Sequence, residues 1–162
     1  MTATIIVEDG TIVANANSYV STATLATYAS DRGVTITGTQ EDLLIKAMDY
    51  IESLNFIGLQ LTEDQALSWP RSGARKKKIY WYDTDEIPAD LIDALCETAL
   101  AIDAGNSPLN DLERATSKEK VGDIEVEYKD GSASSVIVKK INAKLKDLIS
   151  SDGGIGFNVG KA

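Results

Sequence analysis

The sequence predicts a mainly α fold: a four- to five-helix bundle with a small β-hairpin or sheet and extended N- and C-terminal arms. Three observations predict it. Apolar residues recur at three- and four-residue steps in several segments of helical length. Glycine or proline closes those segments where a helix must stop. One short stretch, near 121–128, partly alternates apolar with charged residues and reads as a strand. At 162 residues the chain can bury about two thirds of the surface its unfolded form exposes, enough for one domain with its own core. A content of 43% hydrophobic and 25% charged residues is globular rather than disordered.

Residues 1–17 read as an N-terminal arm. Thr4 to Val7 is short and β-branched, and Asp9-Gly10 is a turn signal that would join it to Thr11–Val13 as a small hairpin. A first helix is expected from about Ser21 to Asp31, capped by Ser21, with Leu25 and Tyr28 on one face and Gly33 just past its end. The second helix has the strongest signal. Thr39 caps it, Glu41 and Asp42 place negative charge in its first turn, and Leu44, Ala47, Met48, Ile51 and Leu54 share a face. Asn55 and Gly58 close it.

Thr62, with Gln65 three residues on, has the form of a capping box and predicts a short third helix that Pro70 ends. Residues 71–86 read as a loop or hairpin in which a basic run precedes Tyr80-Trp81-Tyr82 and then acids. Pro88 suits the first position of a further helix carrying Leu91, Ile92, Leu95, Cys96, Ala99, Leu100 and Ile102, stopped by Gly105. After a polar loop, 106–119, comes the strand with Val121, Ile124, Val126 and Tyr128, turned by Asp130-Gly131. An amphipathic helix from about Ser134 to Ser150 places Ile137, Ile141, Leu145, Leu148 and Ile149 on one side. Residues 1–150 thus form a single domain, followed by a glycine-rich tail, 151–162.

Composition excludes several chemistries. The chain has no histidine, which removes the commonest general base and zinc ligand and any Ser-His-Asp or Cys-His site. Cys96 is the single cysteine, so no internal disulfide forms, and its place on an apolar helix face makes it a small core residue. Asp83, Asp85 and Glu86 read as helix-start charge, and Glu125 and Glu127 as a solvated strand face. No phosphate-binding or dinucleotide fingerprint is present: Gly153, Gly154 and Gly156 follow a helix instead of joining a strand to one. Catalytic, cofactor and metal sites are therefore expected to be absent. No apolar run approaches the ~20 residues of a membrane helix, and no secretory signal is visible at the N-terminus. The formal net charge of −9 repels nucleic acid at long range, so any contact with it needs a local patch.

That patch has one candidate. Arg71, Arg75, Lys76, Lys77 and Lys78 stand beside Tyr80, Trp81 and Tyr82, and cations with aromatics are how single strands are held. Because Asp83, Asp85 and Glu86 follow at once, a solvated hairpin tip balanced by local acids is the favoured reading; in an assembly the same loop could pair with an acidic surface on a neighbour. Trp69 reads as a core anchor at a helix end, with an interface hot spot as the alternative.

Taken in order, several segments carry a resemblance: Val7-Glu8-Asp9-Gly10-Thr11 with Asn15 to Ser21; Ala47-Met48-Asp49-Tyr50-Ile51 leading to Gln65-Ala66-Leu67-Ser68-Trp69-Pro70-Arg71-Ser72-Gly73; Ile87-Pro88-Ala89-Asp90-Leu91; and Lys120 to Tyr128. Together the chain resembles small tailed-phage proteins encoded among head and neck genes. Some of these are grouped as head-tail adaptors or connectors, others under a DnaT-like single-stranded DNA-binding label. The resemblance implies a non-enzymatic virion protein of the neck, assembled in the host cytoplasm, that completes the head. It implies a homo-oligomeric ring of about twelve copies, bound to the portal on one side and to a stopper or tail-completion protein on the other. Double-stranded DNA would pass through the lumen without specific binding. By position, portal contact would fall to Ile141, Leu145, Leu148, Ile149, Ile155 and Phe157. Contact with the ring neighbour or partner would fall to Arg71, Arg75, Lys76, Lys77, Lys78 and Trp81. The run Arg75 to Lys78 departs from the family pattern. The alternative role the label implies is a single-stranded DNA-binding replication accessory protein.

Overall fold

A computed structural model of the chain describes residues 3–76, 79–106, 108, 119–121, 124–126 and 133–150. Four helices are described: α1 (Thr22–Ser30), α2 (Gln40–Glu52), α3 (Ala89–Asp103) and α4 (Ala133–Leu145). Six strands of two or three residues complete the order: β1 (Leu59–Gln60), β2 (Arg71–Ser72), β3 (Arg75–Lys76), β4 (Tyr80–Trp81), β5 (Glu119–Val121) and β6 (Ile124–Val126). They form three separate antiparallel pairs, β1–β2, β3–β4 and β5–β6.

α3 is the central element and packs against α1, α2 and α4. Its sequence explains this. Leu91, Ala94, Leu95, Cys96, Thr98 and Ala99 are all fully buried and cover more than one side of the helix, as a helix surrounded by others requires. Thr98 is tolerated there because its hydroxyl donates to the Ala94 carbonyl (2.7 Å). α2 contributes Leu44, Ala47 and Ile51, and α4 contributes Ile141 and Leu145. A second layer of the core is aromatic. Trp69 is fully buried and meets Phe56 and Tyr82 edge-on, at centroid distances of 6.2 and 5.5 Å.

Several expected elements are present as read. Ser21 caps α1 by accepting from the Thr24 amide (3.1 Å). α2 starts after Thr39 with Glu41 and Asp42 in its first turn, although the Thr39 side chain makes no cap bond. Gly33, Gly58 and Gly105 all take positive φ. Pro88 falls one residue earlier than expected, at the N-cap of α3.

Others are corrected. The helix expected from Thr62 to Pro70 does not form; the segment is a chain of turns leading to a cis Trp69-Pro70 peptide. The strand expected at 121–128 is two strands, β5 and β6, reversing between Val121 and Ile124; Tyr128 and the turn expected at Asp130-Gly131 lie outside the described residues. α4 ends at Leu145. Ile149 lies beyond it, in an antiparallel bridge with Phe56.

The N-terminal arm is also different, and it is not a hairpin. Val7 bridges Ser18 in parallel, and the intervening loop folds around Glu8, which is 2% exposed. Its carboxylate accepts from the amides of Gly10 (2.8 Å), Ile12 (3.0 Å) and Val13 (2.8 Å). Three charge-assisted bonds to backbone replace the strand ladder that the β-branched residues suggested. Ile12 and Asn15 adopt positive φ to make the wrap. Gly10 is required there, since a Cβ would sit 1.9 Å from the Asp85 carbonyl oxygen.

Candidate functional site

The basic-aromatic stretch folds as a β-hairpin, with Arg75 opposite Trp81 and Lys76 opposite Tyr80. Its root is fixed. Ala74 is fully buried, the Tyr82 amide donates to the Ala74 carbonyl (3.1 Å), and the Tyr82 ring packs on Trp69. Its tip is exposed: Ile79 is 74%, Tyr80 67% and Trp81 57% accessible. Ile79-Tyr80-Trp81 is the longest run of exposed large hydrophobics among the described residues.

The hairpin's cations differ in what they are free to do. The Lys76 ammonium donates to Glu86 (3.0 Å) and lies 5.1 Å from the Tyr82 ring centroid. The hydrogen bond and charge of Glu86 hold Lys76 above the ordinary lysine range, so its charge is answered within the chain. Arg75 stacks its guanidinium over the Trp81 ring at 4.5 Å. It also lines an open cleft of ≈ 470 Å³ with Ile57, Gly73, Lys146 and Asp147. Lys77 and Lys78 lie outside the described residues.

Arg71 sits apart from the tip and points inward. Its Nε donates to the Ile57 carbonyl (2.7 Å), and its terminal nitrogens donate to Gly58 (2.8 Å) and Ser68 (3.1 Å). It clamps the 56–58 segment to the turn before Trp69. Burial lowers its pKa, while nearby Tyr19 and Glu52 act in the opposite sense. Glu52 completes the clamp: it accepts from the Tyr19 hydroxyl (2.5 Å) and the Ser68 amide (2.9 Å). Tyr19 in turn accepts from the Trp69 amide (3.1 Å). Burial, with the Glu52 charge, drives the Tyr19 hydroxyl far above the ordinary tyrosine range, so it stays a donor.

The residues expected to contact a portal divide in two. Ile141, Leu145 and Leu148 are fully buried and Ile149 is partly buried, all within the chain's own core. Ile141 and Leu145 thereby hold α4 against the core, and Leu148 and Ile149 pack the segment that follows it. On the described surface of α4, Val136 is 61% accessible, and Lys140 and Lys144 bridge to Glu97 (2.8 Å) and Asp93 (3.2 Å) of α3. Ile155 and Phe157 lie outside the described residues.

Cys96 is buried, and desolvation pushes its thiol up to about 12, which keeps it protonated and unreactive. Among the described residues no group of three or more His, Cys, Asp or Glu is placed to hold a metal ion, and no helix is long and apolar enough to cross a membrane. What sequence reasoning missed is the Glu8 carboxylate nest and the Tyr19–Glu52–Arg71 clamp. The signal for the first was available, since an acid flanked by Asp-Gly and apolar residues has amides close by.

Fold and site together define a helical domain that presents one basic-aromatic β-hairpin. More particularly, the chain belongs to the family described as "Putative DnaT-like ssDNA binding protein", whose model matches residues 3–162. No curated protein and no solved structure gives a significant match.

Proposed function

We propose that this protein is a structural subunit of a tailed-phage neck. It is an adaptor of a mainly α bundle that assembles with copies of itself, joins the portal to a stopper or tail-completion protein, and lets double-stranded DNA pass. The observation that carries this reading is the exposed Ile79-Tyr80-Trp81 tip on a domain whose core is otherwise closed. Aromatic residues and arginine at an exposed, rigidly rooted position are the composition of protein–protein hot spots. The adjacent Lys76 is already paired with Glu86, which removes one phosphate ligand from a nucleic-acid reading. The net charge of −9 suits a wall along which DNA slides without neutralising its phosphates. The ordered set of segments resembling phage neck proteins supplies the setting: the virion neck, with assembly in the host cytoplasm.

A second reading has its own support. The family description names single-stranded DNA, and Tyr80 and Trp81 stand exposed beside Arg75, as a stacking platform needs. One experiment separates the two. The purified chain, and a version ending at Ser150, are tested for capture by the portal ring of the same phage and for retention on single-stranded DNA at rising salt. Capture by the full chain and its loss on truncation is the expected result, and would place the portal contact in residues 151–162. No capture by either form, with retention on DNA that falls steeply with salt, would replace the adaptor with the DNA-binding protein.

A further inference from the structure

Resting on the reading of this chain as a subunit that joins partner proteins, we propose that the cleft beside Arg75 docks an extended acidic segment of a partner. The cleft has a volume of ≈ 470 Å³ and is lined by Ile57, Gly73, Arg75, Lys146 and Asp147. The fold makes it by setting the start of the hairpin against the two residues that follow α4. Two cations, one carboxylate and one aliphatic side chain thus border the same space.

The cations there are unanswered. Lys76, Lys140 and Lys144 are bridged to Glu86, Glu97 and Asp93, whereas neither Arg75 nor Lys146 pairs with an acid among the described residues. Both are exposed. Two cations against one carboxylate make the cleft locally positive, on a chain whose formal charge is −9. A ligand that gains from this brings negative charge. Arg75 also carries the surface onward, because its guanidinium lies 4.5 Å from the centroid of the exposed Trp81 ring. Stacking orients the planar fork and leaves its N–H groups to meet a carboxylate in a bidentate pair. The matching ligand has a carboxylate for Arg75 and Lys146, with apolar side chains on either side of it for Ile57 and Trp81. Arginine and tryptophan in contact are the composition of a peptide-binding hot spot.

The same details favour a peptide over nucleic acid. Asp147 repels phosphate, while a peptide backbone offers it an N–H to accept from. Arg75 covers one face of Trp81, where a base would stack. The site is also formed before a ligand arrives. The Ile57 amide donates to the Leu148 carbonyl (2.9 Å), next to Lys146 and Asp147, and the Ile57 carbonyl accepts from Arg71 Nε (2.7 Å). On the other wall, Gly73 follows β2, which pairs with β1, and the Ala74 carbonyl accepts from the Tyr82 amide (3.1 Å). Walls held in this way lose little freedom on binding.

The test titrates the full chain against three labelled probes and reads anisotropy. One is a peptide of alternating glutamate and leucine, one the same peptide with lysine for glutamate, and one an oligothymidine of about twelve nucleotides. The glutamate peptide should bind, more weakly as salt rises, and the lysine peptide should not. Lys146→Glu and Arg75→Gln should each weaken binding at least about tenfold, and Asp147→Asn should strengthen it. Lys146 is exposed and lies outside the hairpin, so Lys146→Glu stays informative even where Arg75→Gln disturbs the strands; melting curves check both. No binding of the glutamate peptide, or equal binding by Lys146→Glu, would overturn the proposal. Displacement of that peptide by the oligothymidine would make nucleic acid the occupant and overturn it too. Portal capture by a chain that binds no glutamate peptide would remove the cleft and leave the adaptor standing. Peptide binding that Lys146→Glu abolishes, in a chain that captures no portal, would keep the cleft and remove the adaptor.

Discussion

At the scale of single residues, two side chains hold the loops that no helix or sheet supports. Glu8 gathers three amides of the N-terminal loop, and Arg71 gathers four carbonyls, those of Phe56, Ile57, Gly58 and Ser68. In Arg71 the guanidinium's planar fork matters as much as its charge, because one ammonium cannot point at Ile57, Gly58 and Ser68 together. Arg71→Lys should therefore lower stability by about 1–3 kcal/mol, read as a lower urea midpoint with an unchanged slope. A variant with the midpoint of the parent would show that the clamp is dispensable. The role of Arg71 was not legible in the sequence, where it looked like the first member of a basic run. Charge runs reveal composition, while burial and partners depend on which strands flank them. Gln65 makes the same point more sharply. It does reach back to the Thr62 amide, as a capping-box residue does, but its amide nitrogen is drawn to the carbonyls of Leu67 and Pro70 (2.7 and 3.2 Å). The box is half-made and no helix follows it.

At the scale of elements, the helices were legible because periodicity and end signals agreed. Ser21, Thr39 and Pro88 mark starts, and Gly33 and Gly105 mark stops, within about a residue of where the structure has them. The short strand pairs were harder, since two residues cannot show an alternation. The helices are tied by Glu97 on α3, which accepts from Tyr28 of α1 (2.9 Å) and Lys140 of α4 (2.8 Å) and lies 3.7 Å from Arg32. Burial disfavours its charged form, yet the bonds from Lys140 and Tyr28 and the charges of Lys140 and Lys144 outweigh that and hold its pKa below the ordinary range. A carboxylate whose folded pKa is depressed contributes stability that is full above its unfolded value and is lost as pH falls through the folded one. Glu97→Gln should accordingly flatten part of the loss of melting temperature between about pH 5 and about pH 3. An identical acid limb in parent and variant would assign that loss to other carboxylates.

At the scale of the whole molecule, the core of the described residues is closed and their surface has one conspicuous apolar projection, Ile79 to Trp81. The sequence reading left residues 71–86 as a loop or hairpin, of which 75–81 pairs as a hairpin, and it favoured Trp69 as a core residue, where it lies. It gave Ile141, Leu145, Leu148 and Ile149 to a portal contact; in the folded chain the first three are fully buried in its own core. An amphipathic helix looks the same in sequence whether its apolar face meets its own domain or another, so periodicity alone cannot assign the partner. The two tryptophans report the resulting contrast. Trp69 is fully buried and Trp81 is 57% exposed, so acrylamide should quench about half of the indole emission readily, and Trp81→Phe should leave a blue-shifted, poorly quenched remainder. Quenching of both indoles alike would mean that the aromatic layer is open to solvent.

The last described residues tie the far end of the chain to the base of the hairpin. The Ser150 amide donates to the Asn55 carbonyl (2.8 Å), and the Ile57 amide donates to the Leu148 carbonyl (2.9 Å). The Ile57 carbonyl is in turn held by Arg71, four residues before Arg75. Force applied beyond Ser150 would thus be felt first not by α4 but by the strut from which the hairpin projects. A partner gripping one end of the molecule would tension the element offered to the other.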